Sequence, residues 1–189
     1  AILLIGIGLF LVFLKIGRRL RSIFVLRQPG RSWMSREAWV AGGFFPLALL
    51  AILTDEAISW TLAGVFALAF LYCQARILEQ AKAIPAWRAG TVVPVIVLSG
   101  LAEGAGLFLV ATATLFELAP LAAVTAVVTG GLVIARDIAW RTHRRGLDID
   151  GAPTLALEAL DGLRPVSLAL GLIVPVVGIA IGLIAPPAA

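Results

Sequence analysis

Long apolar runs, broken by short linkers that alternate in charge, constrain this chain more than any other feature. A helix needs about 20 apolar residues to cross roughly 30 Å of hydrocarbon. The 189-residue sequence has apolar runs at 1–14, 38–53, 60–78, 91–113, 118–138 and 166–184. Only 14% of its residues are charged and 61% are hydrophobic, whereas a soluble domain is about 25% charged. The mean hydropathy is +1.05. In water such a chain would expose a largely apolar surface, and a bilayer carries no such penalty. The sequence therefore predicts an all-α integral membrane protein, a polytopic helical bundle of about six spans forming one transmembrane unit over 1–189. The stretch 146–164 is the one long polar linker, with a short surface helix expected over 153–163.

Two runs are short for a span. The first opens at Ala1, inside apolar sequence and without a Met. It is read as lacking its beginning, and the chain as part of a longer subunit. The second leaves open either a tilt or an extension over 33–37. Pro46, Pro94 and Pro175 and the cluster Gly100, Gly104 and Gly106 are expected to bend helices and let neighbours approach closely.

Charge sets the orientation. One set of linkers carries Lys15, Arg18, Arg19, Arg21, Arg27, Arg31 and Arg36, then Arg76, Lys82 and Arg88, then Arg136, Arg141, Arg144, Arg145 and Arg164. Those are all 15 lysines and arginines. The opposite linkers carry Asp55 and Glu56, then Glu117, and no basic residue. The positive-inside rule places the basic loops in the cytoplasm, for a multi-pass protein of the inner (cytoplasmic) membrane. The net charge of +4 thus reflects topology, and nucleic acid is not an expected partner.

The inventory of reactive side chains is small. One cysteine, Cys73, excludes an internal disulfide framework and a cysteine-ligated iron–sulfur cluster. One histidine, His143, excludes a two-histidine haem held by this chain alone. No metal-ligand spacing, Ser-His-Asp set or glycine-rich nucleotide loop occurs. Whether the chain takes part in an enzyme is open, but an enzyme acting alone is not expected.

Several polar residues stand out against this background. Glu103 falls near the middle of the fourth run. A carboxylate there is costly unless paired, protonated or open to a cavity. It is either a proton carrier or hydrogen-bond partner to a polar ligand, or a structural hydrogen-bonding group between helices. Tyr72, Arg76 and Glu79 share one helix face by their four-and-three spacing. Arg76 and Glu79 form an ion pair at the interface, or with Tyr72 they line a pocket mouth for a carbonyl-bearing ring. In the segment 31–37, Ser32 or Ser35 is a candidate helix cap, with Glu37 in the first turn. Trp33 and Trp39 are natural interface anchors, as are Trp60, Trp87 and Trp140. Beside Lys15, Gly17 and Arg21, the same segment can also hold a head group or dock a partner. His143 sits in the run Arg141-Thr-His-Arg-Arg145 and is expected on a solvated face. Asp137 is expected to pair with Arg136 or Arg141.

Five stretches in order resemble one family: Lys15-Ile-Gly-Arg-Arg-Leu-Arg21, Ser32-Trp-Met-Ser-Arg-Glu37, Tyr72-Cys-Gln-Ala-Arg76, Ile84-Pro-Ala-Trp-Arg88 and Ser99-Gly-Leu-Ala-Glu-Gly-Ala-Gly-Leu107. They resemble the NrfD/DmsC group of polysulfide and DMSO reductase membrane anchors, with particular likeness to the anchor of phenylacetyl-CoA:acceptor oxidoreductase. The resemblance implies a subunit of eight or more spans. Its implied partners are a four-cluster ferredoxin-like iron–sulfur subunit and a molybdopterin catalytic subunit. It implies electron transfer between those clusters and a membrane quinone, menaquinone or ubiquinone. It also implies a quinol site in the first basic loop, matched here by Lys15, Gly17, Arg21 and Glu37. Lys15 replaces a histidine of the DMSO reductase anchor, which puts proton handling at that position in doubt. Arg19 replaces a common proline.

The resulting expectation is a quinone pocket opening near the basic loops. Lys15, Gly17, Arg21, Trp33, Tyr72 and Arg76 would form it, with Glu37 and Glu103 handling protons. Two rival readings remain: a small transporter or proton-translocating bundle, and a structural anchor without a quinone site.

Overall fold

The structure is a computed structural model that describes residues 2–15, 24–81, 83–84, 87, 89–114, 120–149 and 153–169. Those residues form six α-helices. They are α1 (Ile2–Lys15), α2 (Trp33–Thr54), α3 (Ala57–Gln80), α4 (Val92–Thr114), α5 (Ala122–Ile149) and α6 (Thr154–Leu168). Four of these, α2 to α5, are long and apolar enough to cross a membrane. The chain is thus an all-α, polytopic membrane bundle. Most of the apolar run at 166–184 lies outside the described residues. The helices fall into two compact units, Ala1–Ile77 and Leu78–Ala189.

In the first unit, α2 begins at Trp33, five residues before the apolar run at 38–53, and so takes up the extension that the sequence left open. Ser32 caps it from an extended backbone, its hydroxyl accepting from the Ser35 N–H at 3.4 Å. At the other end Asp55 adopts the left-handed conformation at φ 51° and donates its N–H to the Ala51 carbonyl. Aspartate tolerates that conformation better than most residues. The Asp55 carboxylate also accepts from the Trp60 indole N–H at 2.9 Å. Only Asp55 and Glu56 separate α2 from α3, so the two helices fold back as an antiparallel hairpin.

Small residues make the seam of that hairpin. Ala41, Phe44, Ala48 and Ala51 recur on one face of α2 and are buried, as are Ser59 and Ala63 of α3. At Gly43 a Cβ would overlap the Phe66 ring, so the hairpin closes there only because the side chain is hydrogen. Ile2 and Ile5 of α1 pack on the Phe44, Ala48 and Ala63 cluster. Large apolar residues point outward: Leu53 is 74% exposed and Ile58 72%. Small inside and large outside is the pattern of helices solvated by lipid, where close backbone approach drives association.

In the second unit α4 packs against α5. Ala102, Thr125, Ala126, Thr129 and Val133 are buried. Thr129 donates its hydroxyl to the Thr125 carbonyl at 2.7 Å, which satisfies a polar group inside the apolar layer. With 28 residues, α5 is about 42 Å long and outlasts the hydrocarbon core. It therefore runs on past 138 and takes the first residues of the expected polar linker into helix. No proline interrupts it, and Asp137 pairs with Arg141 at 2.7 Å along one face. Beyond it, α6 covers the expected surface helix and continues to Leu168. A two-pronged contact from Arg144 to Asp161, at 2.9 and 2.6 Å, ties α6 to α5.

Candidate functional site: a polar cluster at the basic end of the first unit

The antiparallel hairpin brings the start of α2 beside the end of α3, because residues equally far from the Asp55–Glu56 turn face each other. This register gathers Trp33, Arg36 and Glu37 with Tyr72, Gln74 and Arg76. The Trp33 indole is the centre. Tyr72 meets it edge-on, with ring centroids 5.7 Å apart and planes at 82°. The guanidinium groups of Arg36 and Arg76 lie 4.2 and 5.0 Å from its centroid. Such contacts hold a cation against an aromatic face without neutralising it. Glu37 accepts a hydrogen bond from the Gln74 side-chain amide.

The preceding loop is fastened to the first turns of α2 by its backbone carbonyls. Arg36 donates to Pro29 O at 2.7 Å and Gly30 O at 2.9 Å. Trp39 donates to Leu26 O at 3.1 Å, and Ser35, only 1% exposed, donates to Val25 O. These side chains satisfy carbonyls of a short 3-10 turn over 24–27 and of the turn that follows it, at the edge of the apolar layer. Arg27 lies over the Phe24 ring at 4.3 Å. An open cleft of about 310 Å³ is lined by Phe24, Val25, Arg27, Gln28, Ser32 and Ser35.

The cluster offers three things together. Trp33 and Tyr72 supply aromatic surface for a planar ring. Arg36, Arg76 and the phenol supply donors for ring oxygens. Glu37 supplies a carboxyl group for proton exchange. Tyr72 is 45% exposed, so the cluster is reachable from outside the hairpin.

Of the residues singled out from sequence, the structure thus brings together Trp33, Tyr72 and Arg76, and it pairs Glu37 with Gln74. Lys15 closes α1 with an exposed side chain. Gly17 and Arg21 lie outside the described residues. Glu103 lies in α4, in the second unit, and is exposed in this chain. Two contributors have no role in the sequence reading, Arg36 as a clamp on the loop and Gln74 as the partner of Glu37, while Ser35, a candidate cap, is instead a buried donor because Ser32 caps the helix. Their signal was position, since Arg36 and Gln74 stand inside the two motifs that carry Trp33 and Tyr72.

His143 requires a correction. It is expected on a solvated face, yet it is 4% exposed. Its Nδ1 and the Thr91 hydroxyl share a hydrogen bond at 2.8 Å, and the Trp140 ring lies 6.1 Å away. The run of arginines around it suggested solvent. However, the helix turns His143 and Leu147 inward onto the buried side while Arg141 and Arg145 face out.

Among the described residues no group of three His, Cys, Asp or Glu side chains is placed to hold a metal ion. No curated protein matches the chain, and no solved structure does. Residues 1–181 match the family described as DMSO reductase anchor subunit (DmsC). Since that match covers nearly the whole chain, the protein belongs to the DmsC family, the membrane anchor subunits of oxidoreductase complexes that exchange electrons with quinone.

Proposed function

We propose that this chain is the quinone-handling anchor of an iron–sulfur molybdoenzyme complex in the inner membrane, with its basic end in the cytoplasm. A four-cluster ferredoxin-like subunit would dock there, and a molybdopterin subunit would carry the catalytic reaction. One observation carries the reading: Trp33, Tyr72 and Arg76 meet in one cluster, and Glu37, one turn along α2 from Trp33, accepts from Gln74 of α3. A quinone supplies two-electron, two-proton chemistry, and menaquinone and ubiquinone both present a planar ring with two oxygens. The donor set fits such a ring. Arg76 and Tyr72 would orient its oxygens, Trp33 would set the plane, and Glu37 would exchange a proton at one oxygen. Lys15, Gly17 and Arg21 would complete the pocket, as the family resemblance implies. Glu103 would be a second proton-handling group, in α4.

With one cysteine and one histidine, the chain must hand electrons to clusters in another subunit. The test uses the intact complex with its partners. Turnover with a quinol is compared with turnover from a soluble dye that reaches the clusters directly. In Glu37→Gln, quinol turnover falls about 100-fold, the scale of a lost acid–base group, while dye turnover and assembly persist. Glu103→Gln lowers quinol turnover by a smaller factor. Unchanged quinol turnover in both variants would remove the proton-handling roles. Intact docking without binding of a quinol-analogue inhibitor would instead favour a structural anchor. Proton flux through the purified chain alone would favour a transporter.

A further inference from the structure

Gln74 is neither charged nor part of the ring of aromatic and guanidinium groups, yet its amide meets the one carboxylate of the cluster. We infer that Gln74 is a positioning residue that holds Glu37 for proton exchange with the quinone ring, an inference that rests on the proposed quinone site. The hydrogen bond runs from the Gln74 amide nitrogen to one oxygen, Oε1, of Glu37. An oxygen that accepts from an amide N–H is not the oxygen that carries the acid proton. The second oxygen, Oε2, is therefore the one that takes the proton from, or gives it to, a bound ring oxygen. In the protonated acid Oε1 remains the carbonyl oxygen and still accepts from the amide N–H, so the contact survives proton uptake at Oε2. A single neutral side chain thus serves both protonation states of Glu37 and adds no charge to the cluster.

The surroundings explain why a neutral partner matters. Glu37 follows Arg36 on α2 and lies within electrostatic reach of Cys73, the residue before Gln74 on α3. Arg36 is turned to the Pro29 and Gly30 carbonyls and to the indole. The contact that fixes the Glu37 carboxyl group comes across the hairpin from α3. A carboxyl group free to rotate would spend most of its time out of line with the ring oxygen, and small misplacements of a reacting group are costly.

The experiment is a double-mutant cycle in the intact complex, with Gln74→Met, Glu37→Gln and the two combined. Gln74→Met keeps the length of the side chain and removes the hydrogen bond. The expected result is a fall in kcat with quinol of about tenfold, the scale of one hydrogen bond to a charged group, with KM changed less than about twofold. In the Glu37→Gln background the Gln74 change adds no further loss. Difference infrared spectra on quinol addition show the Glu37 carboxyl band moved in Gln74→Met and absent in Glu37→Gln. Gln74→His retains a donor and keeps most of the turnover, which guards against a variant that fails to assemble. A Gln74→Met loss that adds in full to Glu37→Gln, or an unmoved carboxyl band, would overturn the positioning role. Normal quinol turnover in Glu37→Gln would also overturn the positioning role, whereas an intact complex that binds no quinol-analogue inhibitor would overturn the quinone-site reading itself, so the two failures are separable.

Discussion

The two units treat their basic ends differently. In the first unit Arg36 is satisfied by neutral acceptors, two backbone carbonyls and an indole face. In the second unit two arginines of α5 meet acids: Arg141 pairs with Asp137 and Arg144 with Asp161. A cation held by carbonyls and aromatic rings keeps its charge for a ligand, whereas one paired with a carboxylate has spent it. The polar groups turned inward differ as well. In the first unit a carboxylate and an amide meet near an exposed tyrosine. In the second a histidine and a threonine close on each other in a buried seam. The first end is built like a site, and the second like a joint between helices.

The largest way to break this contrast is to open the first hairpin. Gly43→Leu places a side chain where the Phe66 ring already lies. It should cost about 3 kcal/mol or more. Thermal unfolding in detergent checks this, and the polar cluster and quinol-analogue binding should be lost with the hairpin. Trp33→Ala leaves the seam intact and removes the platform under two guanidinium groups. Each such contact is worth about 1 kcal/mol, and quinol-analogue affinity should fall roughly tenfold or more, measured by inhibitor titration.

The second unit should respond in stability alone. Thr91→Val leaves His143 without its partner in a buried place and should cost about 1–2 kcal/mol. Quinol turnover should stay within roughly twofold of the parent, as judged from paired melting and activity measurements. A large loss of turnover at unchanged stability would erase the distinction between site and joint. The smallest effect is expected for Asp161→Asn, which loosens α6 from α5. That ion pair is partly exposed and should be worth less than about 1 kcal/mol. Its contribution should also vanish in high salt, which melting curves at two ionic strengths will show.

Much of this was legible from residue type and spacing. The helices α2 to α5 follow apolar runs whose length suits a bilayer, and Trp33, Tyr72 and Arg76 stood out as polar or amphipathic groups at the edge of those runs. What spacing does not carry is a contact between helices. Gln74 looks like any polar residue at a helix end until the hairpin register sets it against Glu37. His143 sits among arginines that signal solvent, and only the rotation of α5 about its axis turns it toward Thr91. For a related reason α5 outlasts its apolar run. Hydropathy falls at 138, but backbone hydrogen bonding does not depend on hydropathy, and the Asp137–Arg141 pair supports the helix beyond that point.

The sequence by itself determined the class of solvent, the spanning helices and the segregation of every lysine and arginine to one set of linkers. These follow from transfer energies and charge, which each residue carries wherever the chain goes. The tertiary structure alone decided which polar groups meet. A two-residue turn at Asp55–Glu56 and a missing side chain at Gly43 bring α2 and α3 together in one register. That register places Trp33 with Arg76 and Glu37 with Gln74, because pairing across two helices depends on their closest approach and not on the sequence of either one.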